Sequence, residues 1–595
     1  MSSSSPPLCS PETIPGAFER QARERGAATA LLGREESGWR RVTWQQCWQS
    51  ARAIAAALIE LGVQPGHHVA LAARSRPEWV LLDLGIQLAG ATTVSVYPDN
   101  PVDRQLFVLG DSRAQLVVCE DATRLCQLHA RAAELPRAPR FIGFDPPGRP
   151  WPPTLDGGFV RRTLAEAPEF IPSLSQLIGL GESLLSELSA ELERRERLLE
   201  PQRQAALIYT SGTTRVPRGV RLSHRNLLES ARRVAETRRP WLAPEAPVLV
   251  PIPLAHIMGR MAQLAGCLDG AAVALESQPE RAVQSCAELQ ACTLIGPPQL
   301  YESLHARMRD TPPGTLRRAL GGKVRAAPVG GAALHPETLS WFESEGILLF
   351  ESYGSTECGY VSGCNGKHRP TGSVGHATTG TRIAVAPDGE LLVTGPSVML
   401  GYHERPEEEQ AAFEWIDGER WFHTHDIARL DAEGTVWLLG RKDELFKTSS
   451  AGYISPEYLQ GRLRAASPLV SRALVYGAGR PHVIALLTLN ADALRAWARG
   501  QPDVRMASMD MAALCERAEL RATLERAIAE CNEQLAPHER IRAFSVLERE
   551  LSREENELTE LGKPRRELLL QKHRARIDAL YGQPERVAGG STSAG

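Results

Sequence analysis

Lysine is scarce in this chain. Six of the 68 basic residues are lysine (Lys323, Lys367, Lys442, Lys447, Lys563 and Lys572), which leaves 62 arginines. Arginine stands nearly everywhere that lysine could serve, so each surviving lysine is a candidate for a place where a compact point charge is wanted. Long apolar runs are missing too. No stretch approaches the roughly 18 uninterrupted apolar residues of a membrane span, although peripheral contact with a membrane stays open. The opening residues, MSSSSPPLCSPETIPG, lack a basic region followed by an apolar run, so no secretory signal is read and a cytoplasmic location is expected. The eleven cysteines form no CxxC pair and have no histidines at zinc spacing; they read as small buried side chains in a reducing compartment. A net charge of −3 provides no field for nucleic acid or for an anionic surface.

What is present is an ordinary globular composition, 43% hydrophobic and 23% charged over 595 residues. That length calls for at least two domains. Helical spacing over 42–62 ends on Gly62, and HVALAAR (68–74), ATTVSVY (91–97) and AQLVVCE (114–120) read as strands separated by helices at 78–90 and 102–110. Strands alternating with helices predict a parallel sheet covered on both faces. The Pro/Gly-rich stretch 136–154 reads as a surface excursion and 181–200 as one charged helix. A second strand–helix series runs from 248 to 360, β-type segments follow at 382–394 and 435–439, and from about 441 the pattern becomes a smaller α+β unit. The last ten residues, 586–595, read as a disordered tail. No internal repeat is present.

The segment Leu207-Ile208-Tyr209 reads as a strand that runs into Thr210-Ser211-Gly212-Thr213-Thr214-Arg215-Val216-Pro217-Arg218-Gly219. Small residues let a backbone approach a polyphosphate, hydroxyls and N–H groups donate to its oxygens, and a cation neutralises charge. The spacing is not GxxxxGK[ST], so this is not a Walker loop. By itself it reads equally well as a Ser/Thr/Gly surface loop.

The loop resembles the phosphate loop of the adenylate-forming (AMP-binding) superfamily, and further motifs follow in that family's order. Val220-Arg221-Leu222-Ser223-His224-Arg225-Asn226 continues it. Pro253-Leu254-Ala255-His256 is similar to PLAHxxxR, with Arg260 after it. Gly330-Gly331-Ala332 looks like the adenine-binding GGA and Tyr353-Gly354-Ser355-Thr356-Glu357 like YGxTE. His423-Thr424-His425-Asp426 corresponds to HTGD and Gly440-Arg441-Lys442-Asp443 to GRxKD. Gly562-Lys563-Pro564-Arg565-Arg566 lies at the terminal lysine motif. The likeness covers roughly residues 40–580. Arg76-Pro77-Glu78-Trp79, Tyr97-Pro98 and Phe446-Lys447 with Tyr453-Ile454-Ser455-Pro456-Glu457 resemble the long-chain acyl-CoA synthetase branch.

The resemblance implies an α/β enzyme: a large N-terminal domain of layered α/β units over 1–440, and a small mobile α+β lid over 441–585, hinged near Asp443. It implies ATP and Mg²⁺ as cofactors and coenzyme A as the acceptor of an activated carboxylic acid, expected to be a fatty acid, with transfer to a carrier-protein thiol, or nucleotide binding without turnover, as the alternatives. A carboxylate is already ionised at neutral pH and needs no general base, so positioning and charge stabilisation must do the catalysis. By likeness, Glu357 is the Mg²⁺ ligand and Arg218 the loop cation. Thr210, Ser211, Gly212, Thr213 and Thr214 take the phosphates. Gly330, Gly331, Ala332, Tyr353, Gly354 and Thr356 flank the adenine, and Asp426 and Arg441 hold the ribose. Lys447, on the 441–457 face, joins the cofactor-binding set, His256 joins the catalytic set, and Lys563 brings a mobile charge to the α-phosphate. Lys367 and Lys572 read as ordinary surface lysines. The chain departs from the family at Arg215 (Gly in the family), Arg218 (Lys), His425 (Gly) and Ser449-Ser450-Ala451-Gly452, and the last of these bears on the thioester step.

Overall fold

The computed structural model describes residues 9–582 except 37, 146–159, 162, 164–165, 167–171, 211–215, 244–245, 332–333, 335, 443–444, 449–452 and 559–563, and describes residues 447, 453 and 465 by their backbone only. Ser211, Gly212, Thr213, Thr214, Arg215, Ala332, Asp443, Lys563, the 449–452 departure and the tail therefore lie outside the described residues.

The first strand–helix series forms a seven-stranded sheet. Gln204–Thr210, Thr92–Val96, His68–Ala72, Leu116–Cys119 and Arg140–Gly143 run parallel in that order, and Arg218–Ser223 and then Gly401–Tyr402 close one edge antiparallel. The second series forms a nine-stranded sheet whose middle is parallel. Its strands Ala326–Gly330 and Leu348–Ser355 pair with Gly330 opposite Ser352, and Leu348–Ser355 turns back antiparallel into Gly359–Gly363. A five-stranded antiparallel sheet follows, with Glu419–Leu430 at its centre. Helix His224–Arg238 touches strands of both large sheets, so a helical layer lies between them. The most extensive apolar cluster of these layers draws on residues from Cys9 to Val436, and two smaller ones lie beside it.

Local chemistry explains the helix starts. Thr43 and Gln46 form a reciprocal capping box at the head of Trp44–Glu60, and Ser223 and Asn226 form another at the head of His224–Arg238. The Leu-Ser-His-Arg-Asn motif is thus a structural element. Asn226 also donates from Nδ2 to the carbonyls of Pro396 and Val398, both at 2.8 Å, which ties the first sheet to the 396–402 segment.

Two sequence expectations are corrected. The stretch 136–154 contains an edge strand, Arg140–Gly143, which pairs parallel with Leu116–Cys119. The stretch 181–200 is not one helix. Leu174–Leu184 begins at its own capping box on Ser173, and Ser189–Arg197 is a separate helix. The first is pinned where Gly181 passes helix Trp44–Glu60, since a Cβ there would lie 1.8 Å from the Ala53 carbonyl oxygen. The break lets Leu192, Arg195 and Glu196 bury on a different line.

Beyond residue 445 the chain forms a separate small unit. Strands Val470–Tyr476, Val483–Leu489 and Ile541–Val546 make a three-stranded sheet, covered by helices such as Pro456–Ala466 and Ala518–Glu533. Its two apolar clusters draw only on residues from Phe446 to Tyr581. A mixed α/β chain with a large N-terminal and a smaller C-terminal domain is therefore what is observed. No described helix is long and apolar enough to cross a membrane.

Candidate active site

Thr210 ends a parallel strand of the first sheet, and Gly330 and Ser355 end strands of the second. Carboxyl ends of this kind are where open α/β sheets place ligands. Thr210 pairs directly with Arg218 across the antiparallel ladder, so the two residues flank the phosphate-loop segment. Gly330 and Gly331 leave the next strand. A Cβ on Gly330 would lie 2.9 Å from Ser352 Oγ, and Gly331 takes φ +92°, a conformation that side chains resist. Gly354 abuts its hairpin partner, where a Cβ would meet the Gly359 carbonyl oxygen at 2.0 Å. Thr356 and Glu357 form the hairpin turn, with the Glu357 N–H donating to Ser355 Oγ at 3.2 Å.

Two side-chain groups meet around this hairpin. On one side the Arg218 guanidinium lies over the Tyr402 ring, 4.6 Å from its centroid, and donates to Glu408 Oε2 at 3.2 Å. Tyr402 donates its hydroxyl to Glu357 Oε1 at 3.4 Å. The Met399 N–H donates to the Glu357 carbonyl at 2.7 Å and fastens the turn to the Gly401–Tyr402 strand. Burial and the adjacent Glu357 charge push the Tyr402 hydroxyl far above its ordinary range, so it remains a donor. A carboxylate is the hard oxygen ligand that matches the coordination Mg²⁺ prefers. Glu357 is the residue that would hold it, and the ion would neutralise phosphate charge there.

On the other side the Tyr353 hydroxyl donates to Asp426 Oδ2 at 2.5 Å, and Arg441 Nη1 donates to Asp426 Oδ1 at 3.2 Å and to the Thr424 carbonyl at 3.1 Å. Asp426 and Arg441 are paired residues of adjacent strands. Burial raises the Asp426 carboxyl above its ordinary range, against the pull of Arg441 and of the Tyr353 hydroxyl. Each carboxylate oxygen offers two acceptor positions, so two remain for a vicinal diol such as ribose.

The motif neighbours do other work. His256 is the N-cap of helix Ile257–Asp269, where its Nδ1 accepts from the Met258 N–H at 3.1 Å. Arg260 is fully buried; it donates to Asp83 Oδ1 at 2.5 Å and lies 5.3 Å from the Trp79 ring centroid, clamping two core helices. Lys447 pairs by its backbone with Tyr453 in a two-stranded ribbon. Lys572 lies at the surface, as expected, but has a buried partner. With Arg549 it holds Glu557, which is 1% exposed and whose carbonyl accepts from the Arg565 N–H at 2.8 Å. That bond, together with the Leu558–Pro564 bridge, closes the base of the 559–563 segment.

Sequence reading missed Glu390. It is 2% exposed and accepts from the His425 N–H at 2.9 Å, from Lys442 Nζ at 2.8 Å and from His423 Nδ1 at 3.3 Å. Burial alone would raise its carboxyl, but these donors outweigh burial and hold it below the ordinary range. His425, where the family has Gly, indeed has φ +58°. Tyr402 was missed as well. Its signal was faint, an aromatic residue between Gly401 and His403 that belongs to none of the motifs above.

A model of the AMP-binding enzyme family matches residues 18–403, and a model of the AMP-binding enzyme C-terminal domain matches 443–585. The chain belongs to the AMP-binding enzyme family. Among similar proteins, the long-chain-fatty-acid–CoA ligase FadD15 of Mycobacterium bovis is 28% identical over 590 residues, covering 91% of this chain and 92% of that one. The long-chain-fatty-acid–CoA ligase ACSBG2 of Gallus gallus is 24% identical over 652 residues, covering 96% and 81%. Among solved structures, an anthranilate CoA ligase, AuaEII, in complex with anthranoyl-AMP superposes with a TM-score of 0.74 at 19% identity, covering 97% of this chain and all of that one. That likeness establishes the fold. The family's two-part architecture coincides with the large and small units described above.

Proposed function

We propose that this protein is a cytoplasmic, AMP-forming acid–thiol ligase. It activates a long-chain fatty acid with ATP and Mg²⁺, releases pyrophosphate, and passes the acyl group to coenzyme A. The observation that carries the reading is the convergence of Arg218, Glu357, Tyr353, Asp426 and Arg441 on one hairpin in a chain of this family. The similar proteins named as long-chain-fatty-acid–CoA ligases, matched along nearly their whole length, support the acid and the acceptor.

In this reading Asp426, steadied by Tyr353 and Arg441, takes the ribose hydroxyls, and the segment Gly330-Gly331-Ala332 takes the adenine. Thr210 to Thr214 and Arg218 take the phosphates, with Glu357 holding the metal that neutralises them. The substrate carboxylate attacks the α-phosphorus in line, the bond to the bridging oxygen breaks, and pyrophosphate leaves. The protein aligns two anions and damps their repulsion. Lys563 contributes a point charge between the carboxylate and the α-phosphate. The thiol then attacks the acyl carbon, AMP departs, and the thiol proton passes to solvent. We assign 1–440 to the nucleotide- and acid-binding domain, 441–585 to a lid that turns near Asp443 between the two steps, 586–595 to a tail, and Lys447 and His256 to contacts around the thiol and acyl sites. The deciding experiment measures AMP and pyrophosphate release across carboxylic acids of increasing length, with and without coenzyme A. Dependence on a long-chain acid and on free coenzyme A supports the reading. Acceptance of a holo carrier protein in place of coenzyme A, or ATP binding without pyrophosphate release, overturns it.

A further inference from the structure

Arg218 and Glu357 belong to different sheets, yet one side chain touches both. Tyr402 is 4% exposed and belongs to the two-residue strand that pairs with Arg218–Ser223, opposite Val220. Its register is fixed on both flanks. The Leu400 N–H donates to the Arg221 carbonyl at 2.9 Å, and the His403 N–H to the Gly219 carbonyl at 2.8 Å. From that fixed place the ring lies under the Arg218 guanidinium and the hydroxyl reaches Glu357. We propose that Tyr402 is a positioning residue for the triphosphate–metal end of the nucleotide, with its ring setting the plane of Arg218 and its hydroxyl setting the orientation of Glu357. The inference deepens the proposed function and rests on it.

The chemistry accounts for arginine at 218 where the family has lysine. A planar guanidinium stacks on an aromatic face and keeps its edge donors free to turn toward an anion. Here one edge donor is already extended to Glu408. An ammonium group on the same stem would lose the stacked plane. On the other side of the ring, a carboxylate at a turn is free to rotate about its own side-chain bonds. A donor fixed on one oxygen removes that freedom and leaves the other oxygen for the metal, so less rotamer entropy is lost when the metal arrives.

The test measures ATP affinity by calorimetry, in EDTA and again with Mg²⁺, for wild type, Y402F, Y402L, R218A and E357A, with thermal unfolding of each as a check on folding. Y402F keeps the ring and loses the hydroxyl. It should retain near wild-type affinity in EDTA while the affinity gained on adding Mg²⁺ shrinks about three- to tenfold. Y402L also loses the stack, so its affinity should already fall in EDTA, and R218A/Y402L should be no weaker than R218A. A merely structural tyrosine would lower the unfolding temperature and leave the Mg²⁺-dependent gain unchanged. That result for Y402F, with E357A and R218A responding as proposed, overturns this inference alone. If E357A keeps the full Mg²⁺-dependent gain and R218A keeps full ATP affinity, the proposed site falls and this inference falls with it. Should Y402L fail to fold, Y402F still decides through the Mg²⁺-dependent gain.

Discussion

Replacing Tyr353 with Phe should move the pH dependence of ATP use, in a direction that follows from the Asp426 geometry. Asp426 accepts one hydrogen bond from Tyr353 at 2.5 Å and one from Arg441 at 3.2 Å, inside a site where burial already raises its carboxyl. A hydrogen bond to a buried charge is worth roughly 1.5–3 kcal/mol. Losing the tyrosine donor therefore raises the Asp426 carboxyl further, because its charged form loses a partner. In the proposed site ribose is held by the ionised form. In Y353F the acid limb of kcat/KM for ATP should then shift to higher pH, while the plateau well above it falls less. The sign for stability is opposite to that of a salt-bridged carboxylate. A carboxyl raised on folding weakens the fold as pH climbs from its unfolded value, near about 3.9, through its folded one; below the unfolded value that penalty is absent. Y353F should widen this window. The assay is initial rate against ATP at a series of pH values, with D426N as a control that lacks the titrating group. An acid limb in Y353F that superposes on wild type would refute the link between the tyrosine hydroxyl and Asp426.

Four further outcomes can be checked. Glu408→Gln removes the carboxylate that engages Arg218 before the nucleotide does; because the pair is half exposed, at 26% and 37%, and such pairs are worth up to about 1 kcal/mol, KM for ATP should fall no more than about fivefold at low salt and return to wild type at high salt. His425→Gly should keep stability within about 1 kcal/mol of wild type, whereas His425→Val should lose clearly more, since φ there is +58° and β-branched residues resist that region; equal unfolding temperatures would count against a strained backbone. Lys563→Ala should lose roughly 10²–10³ in adenylate formation yet form thioester from supplied acyl-adenylate, with Lys563→Arg recovering only part, and a parallel loss of both half-reactions would count against a lid that turns. Glu557→Gln should flatten the acid limb of stability of the small domain: burial pushes this carboxyl up, but Arg549 and Lys572 outweigh it and hold it at about 2, so its contribution is present above about 4.3 and is lost as pH falls toward about 2.

Much of this site was legible because its parts are local in sequence. Alternating strands and helices announce themselves within a few residues, and the glycines at 330, 331 and 354 and the carboxylates at 357 and 426 stand in short motifs. The sequence pattern also flagged His425 as a departure from glycine, and the positive φ there supplies the physical reason. The cross-connections were not legible. Tyr402 meets Glu357 across 45 residues, Arg218 meets Glu408 across 190, and Tyr209 and Arg405 both engage Asp111 across 98 and 294. No period or propensity encodes contacts at such separations. The break between the helices Leu174–Leu184 and Ser189–Arg197 escaped for a related reason, since it is imposed by what Gly181 packs against rather than by any breaker residue.

The direct pairing of Thr210 with Arg218 has an entropic meaning. Residues 211–217 join two ends that the sheet already holds side by side, at the roughly 5 Å spacing of antiparallel partners. The closure cost of this loop is met when the protein folds. Lengthening a closed loop is cheap, about 0.6 kcal/mol for each doubling, so insertions here should barely affect folding. They should weaken ATP binding much more, because in the proposed site each added residue alters the span between Thr210 and Arg218 that meets the phosphates.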